Sequence, residues 1–182
     1  MKKLVSIFLF FVLFSIYSQN LTTLPHPKNS MLYTEFVSYK KATYLKKPIE
    51  MVGYIVMNGE NNFLFKQTKP ILIEVRKNNN KLTFKKESSP PIEIPNSPNG
   101  ENIAFLFDKN TNYDGFNITK SLKNAKDHYL VTPKKPEKVD RIEVTSIDDK
   151  IETITIFFKD KSSMFYEFKN TITGITPDEK YF

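Results

Sequence analysis

Residues 117–129, NITKSLKNAKDHY, decide how this 182-residue chain is read. Ile118, Leu122, Ala125 and Tyr129 recur at i, i+4, i+7 and i+11, a spacing that gathers apolar side chains on one helical face. Asn117 fits an N-cap and Pro133 lies beyond the end. The spacing predicts one amphipathic helix, with Leu122 and Ala125 buried against a sheet.

The flanking segments read as strands. Upstream, Ile49 to Met57, Asn62 to Gln67, Pro70 to Arg76 and Lys81 to Lys85 follow one another at hairpin spacing. Asn58-Gly59 and Asn78-Asn79-Asn80 supply turns, because Asn and Gly tolerate positive φ. Gly53 interrupts a strand pattern, which marks a bulge or a close approach of another group. Residues 31–45 fit either state: Leu32, Phe36 and Tyr39 suit a helical face, while the wealth of Tyr, Thr and Val favours a strand. Residues 87–101 hold four prolines and read as a loop or linker. Ile103 to Phe107, IAFLF, suits a short buried strand. Downstream, 141–147, 151–158 and 164–169 are three more strands, turned by Asp148-Asp149 and by residues 159–162. The expected fold class is α+β, mostly β: two antiparallel β-meanders with one intervening amphipathic helix. The expected organisation is a signal peptide over 1–18, a leader over 19–30, a β-rich half over 31–112, and a helix-plus-meander half over 113–182. The two halves form either one layered core or two lobes.

The N-terminus supports export. Met1-Lys2-Lys3 is a positive n-region, Leu4 to Tyr17 carries no charge, and small residues precede Gln19-Asn20. That order matches a cleavable secretory signal. Its 14-residue uncharged run would rise only ~21 Å as a helix, short of the ~30 Å hydrocarbon core. Nothing later is long and apolar enough to span, so no integral membrane span is expected after cleavage. The chain has no Cys, which excludes disulfides, thiolate metal sites, cysteine nucleophiles and a lipobox anchor. A secreted chain without cysteine points to a bacterium and to a periplasmic or extracellular destination.

Two constellations carry candidate chemistry. Asp108, Asn110, Asn112 and Asp114, ending at Gly115, set oxygen side chains at alternate positions on a tight loop, as Ca²⁺ requires. From Asn110 the run resembles the start of an EF-hand loop. It lacks the first Asp, and Ser121 stands where the bidentate Glu belongs. The second constellation is basic. Residues 19–135 hold 18 basic and 10 acidic side chains, a net of +8, whereas 136–182 hold 7 and 10, a net of −3. Within the basic part Lys40, Lys41, Lys46 and Lys47 lie beside Tyr39 and Tyr44, lysines interleaved with stacking aromatics. Such a surface suits an anionic polymer: glycan, lipopolysaccharide or nucleic acid. Export and the scarcity of arginine, 2 against 25 lysines, argue against nucleic acid.

No coherent catalytic set emerges. His26 and His128 are the only histidines, and His128 beside Asp127 on a helix would point about 100° away from it. There is no G-x-S-x-G elbow, no H-E-x-x-H and no phosphate-cradling glycine loop. The residues therefore point first to a small exported non-enzymatic binding module of inhibitor or immunity type, engaging a protein partner or an envelope component and using no cofactor. The second reading is a binder of anionic polymer through the Lys/aromatic surface. The third is a small hydrolase using paired carboxylates such as Asp148-Asp149.

Overall fold

Leu32, Thr34, Phe36 and Ser38 are buried, while the alternating Tyr33, Glu35, Val37 and Tyr39 are part-exposed or exposed. That period of two makes the segment a strand, favoured by its aromatic and β-branched residues. The computed structural model describes residue 24 and residues 31–58, 62–78, 81–94, 103–107 and 113–174. The elements are β1 (Met31–Lys41), β2 (Ile49–Asn58), β3 (Asn62–Lys69), β4 (Ile73–Asn78), β5 (Lys81–Lys86), β6 (Ile92–Ile94), a single helical turn α1 (Ala104–Phe107), β7 (Phe116–Lys123), β8 (Lys126–Pro133), β9 (Val139–Ile147), β10 (Lys150–Phe158) and β11 (Ser163–Thr173). The strands form one 11-stranded sheet in the order β6-β5-β4-β3-β2-β1-β11-β10-β9-β8-β7. Two antiparallel meanders thus meet where β1 pairs with β11, with Phe36 opposite Phe168 and Ser38 opposite Tyr166. The signal peptide and leader expected over 1–30 lie outside the described residues, except Leu24.

The amphipathic helix expected over 118–129 is not there, and the fold class is corrected to all-β. Those residues form the β7–β8 hairpin, in which Ile118 pairs with Val131 and Leu122 with Asp127. Asn124 (φ 52°) and Ala125 (φ 60°) make its two-residue turn. Two consecutive positive φ values match the turn whose twist suits a hairpin. The physical reason for the misreading is arithmetic: a spacing of four is also a multiple of two, so Ile118 and Leu122 share a strand face as readily as a helical one. Composition then favours the strand, since Ile118, Thr119, Tyr129, Val131 and Thr132 are β-formers. Leu122 is 74% exposed rather than core. Leu122→Ala should therefore change stability by no more than about 0.5 kcal/mol, whereas a buried leucine would cost ~2–5 kcal/mol. Denaturant melts of wild type and variant check this.

The run IAFLF is a second correction. It ends in the turn α1 instead of a strand, with Ile103, Leu106 and Phe107 buried. A short apolar run bounded by loops does not reveal by periodicity whether it is strand or helix. The proline-rich stretch contributes the short edge strand β6.

One face of the sheet carries the core. Leu32, Phe36, Ile55, Phe63, Val131, Ile142, Ile154 and Phe168 point to it, and Leu24, Ile103, Leu106 and Phe107 join them from outside the sheet. Eleven strands exceed what a strongly twisted open sheet usually carries without curling. Register shifts at Tyr33/Glu35, Val52/Gly53, Ile151/Thr153 and Phe157/Phe158 supply the bends. We call the core-bearing side the inner face. The outer face is mixed: Tyr33 stacks on Tyr54, and Arg141 lies over Phe157, 3.8 Å from the ring centroid. Gly53 sits under the ring of Phe36, which stacks on Phe65 (4.8 Å between centroids) and meets Tyr166 edge-on.

Candidate functional site

The antiparallel β1–β11 pairing brings Lys40 opposite Met164, and both lie on the inner face. Beside them β10 ends at Phe158, and the β10–β11 turn begins. A cavity of about 490 Å³ opens here, lined by Lys40, Phe158, Met164, Lys159, Asp160 and Ser162, with Glu137 and Lys138 from the β8–β9 connection. Its volume falls within the ordinary range for small-ligand sites.

Main-chain hydrogen bonds hold the rim. Lys159 N–H donates to the Lys138 carbonyl and Phe158 N–H to the Ser162 carbonyl, each at 3.0 Å. Lys159 Nζ donates to the Pro136 carbonyl at 2.6 Å, tying the two connections together. The Ser162 hydroxyl (2.5 Å) and its backbone N–H (2.8 Å) both donate to Asp160 Oδ1. These bonds hold the Asp160 carboxyl below the usual carboxylate range, with the Lys40 ammonium adding a smaller pull in the same direction. Two residues along β11 from Met164, Tyr166 is buried, and burial pushes its phenol well above the usual tyrosine range. Its neutral O–H donates to Met164 Sδ. The result is an apolar floor of Phe158 and Met164 under a charged rim of three lysines and two carboxylates. The rim's net charge is +1, and its preset geometry is suited to a ligand with an apolar body and one negative group.

The sheet is similar to that of a DUF1329 family protein from Desulfovibrio piger. That likeness has a TM-score of 0.51 at 12% identity and covers 85% of this chain and 90% of the other. A LolA superfamily protein from Nitrosomonas europaea gives a TM-score of 0.49 at 9% identity, over 87% of this chain and 92% of the other. The Pseudomonas aeruginosa MucA/MucB complex gives 0.48 at 11% identity, over 85% of this chain but only 55% of that one. The likeness is one of fold. No family model matches the chain, and no curated protein is similar to it in sequence.

The structure separates the residues that the sequence grouped. Lys40 enters the cavity rim, while Tyr39 and Lys41 point to the outer face by strand alternation. Tyr44, Lys46 and Lys47 lie on the exposed β1–β2 loop. Asp108, Asn110 and Asn112 lie outside the described residues, and Asp114 is exposed in a turn. No group of three His, Asp or Glu gathers at a cation site among the described residues. His128 and Asp127 are neighbours on β8 with opposite facings, as period two requires. Asp148 (φ 50°) and Asp149 (φ 61°) form the β9–β10 turn. Sequence reasoning missed Lys138, Phe158, Lys159 and Met164 as site residues. Only the turn at 159–162 was legible, because the pairing that sets Lys40 beside it spans most of the chain.

Proposed function

We propose that this chain is an exported, non-enzymatic binding module, acting in the periplasm or outside the cell, whose ligand is a small amphiphile. The observation that carries the reading is the cavity, with Phe158 and Met164 as its floor and Lys40, Lys138 and Lys159 on its rim. The charged, hydrogen-bonded rim over thioether and phenyl groups offers binding contacts; its one hydroxyl–carboxylate contact, Ser162 to Asp160, lies within a turn and holds the carboxyl below the usual range, which makes Asp160 a weak base. The N-terminal positive-then-apolar order supports export. The test is calorimetric titration of the mature protein with dodecyl phosphate, dodecanoate, dodecanol and dodecyltrimethylammonium below their micelle concentrations. Saturable one-site binding of the anionic pair, weakened at least tenfold in Lys40→Gln and in Met164→Gln, is expected. Equal affinity for the cationic chain, or no binding of any of the four, would remove the reading in favour of a protein partner.

A further inference from the structure

The strand directions place five connections at one end of the sheet: the β1–β2 loop (42–48), the β3–β4 turn (70–72), the β5–β6 connection (87–91), the β8–β9 connection (134–138) and the β10–β11 turn (159–162). They follow one another around the rim because β1 adjoins both β2 and β11, and Lys159 N–H bonds the Lys138 carbonyl. This end is rich in lysine. Lys41, Lys46 and Lys47 flank or occupy the first loop, Lys134 and Lys135 the fourth, and Lys161 the fifth. Against them stand Glu87, Glu137 and Asp160, the last already engaged by Ser162. The same end exposes large apolar side chains: Tyr44 is 72% exposed, Leu72 40% and Ile49 38%. Among the described residues the opposite end is turned by Asn124-Ala125 and Asp148-Asp149; it also carries Lys123, Lys126 and Lys150 and the exposed Leu122, but there Lys126 pairs with Glu152 and Lys150 follows the two aspartates.

We infer that this lysine-rich end is a docking surface for an anionic phospholipid bilayer. Three observations favour a bilayer over a soluble polyanion. A diffuse sheet of lipid charge needs only point charges within a Debye length, which lysines on flexible stems provide. Planar bidentate phosphate contacts need arginine, and neither Arg76 nor Arg141 lies in these connections. Tyr44, Leu72 and Ile49 on the rim supply what charge alone does not: aromatic and aliphatic groups that settle at the headgroup level. Charge and apolar tips together meet the two-signal requirement for stable surface attachment. The cavity opens within this same rim, but the docking surface does not depend on the cavity being filled.

Co-sedimentation of the mature protein with vesicles tests the inference. Vesicles of phosphatidylcholine alone, and vesicles with one third phosphatidylglycerol, are compared across a salt series with wild type and three variants. Binding to the anionic vesicles, lost at high salt, is expected. The triple variant Lys41→Gln, Lys46→Gln, Lys47→Gln should lose about 100-fold in partitioning, at about fivefold per lysine. Tyr44→Ser should lose several-fold, while Met164→Gln, which alters only the cavity floor, should bind vesicles as wild type does. Equal sedimentation with both vesicle types would overturn the inference. So would heparin or DNA binding as tightly with no dependence on Tyr44, which would assign the lysines to a polymer. Loss of vesicle binding in Met164→Gln would overturn it as well, since the association would then be uptake of lipid into the cavity.

Discussion

Gly53→Ala is expected to destabilise the protein by about 3 kcal/mol or more, lowering Tm by roughly 6–12 °C at ~2–4 °C per kcal/mol for a chain of this size. A Cβ built at residue 53 meets the main-chain carbonyl oxygen of Lys66 and lies 2.6 Å from Phe36 Cζ and 2.8 Å from Gln67 Cα. Two of these three neighbours are backbone atoms of β3, so a side-chain rotation relieves only one of them. The strand would have to move, and β2 and β3 share a ladder from Val52 to Asn58. The site also carries a register shift, which already bends the sheet there. Gly115→Ala is the matched control: nothing lies within 4 Å of its built Cβ, so that variant should be neutral or slightly stabilising. A double variant with Phe36→Leu should recover only part of the Gly53→Ala loss, because the Lys66 and Gln67 contacts remain. Thermal melts showing a fall below 2 °C for Gly53→Ala would mean that β2 and β3 are further apart than the structure has them.

The two-meander layout was legible because hairpins are local. Turn residues such as Asn58 and Asp148-Asp149, and alternation such as Met164-Tyr166-Phe168, lie within a few positions of one another. Gly53 was legible as a tight spot for the same reason, since a lone glycine in a β-branched run needs an explanation. Long-range pairing was not legible. Nothing in residues 31–41 announces β11 as their partner, so the continuity of the sheet and the cavity at the β1–β11 junction were both hidden. The hairpin at 116–133 was hidden by a different cause, because its four-residue spacing satisfies both periods and only the tertiary fit chooses. The candidate site suffered from treating lysines as a linear cluster. Strand alternation alone divides Lys40 from Lys41, so reading 31–41 as a strand also splits the supposed patch between two faces.

Phe107→Ala is expected to cost about 3–5 kcal/mol, the usual range for removing a buried phenyl ring. Phe107 is 3% exposed, stands edge-on to Phe168 with centroids 5.5 Å apart, and lies 6.4 Å from Phe63. It therefore bridges β11 and β3 across the intervening β1 and β2. The segment that carries it is one turn of helix, far too short to be stable by helix propensity alone. Burial of Ile103, Leu106 and Phe107 against the inner face holds it in place. Because side-chain burial and not helix length holds the turn, truncating the ring has two routes to express itself. The whole sheet loses a core anchor, and residues 103–107 detach locally at a lower free energy than global unfolding. Denaturant melts read the first route, and hydrogen exchange at Leu106 and Phe107 with binding of a hydrophobic dye reads the second. Both should respond, with faster exchange and more dye bound well below the melting transition. If the melt shifts by less than about half a kcal/mol and dye binding is unchanged, α1 does not cover the inner face. In that case the apolar side of β1, β3 and β11 has another cover.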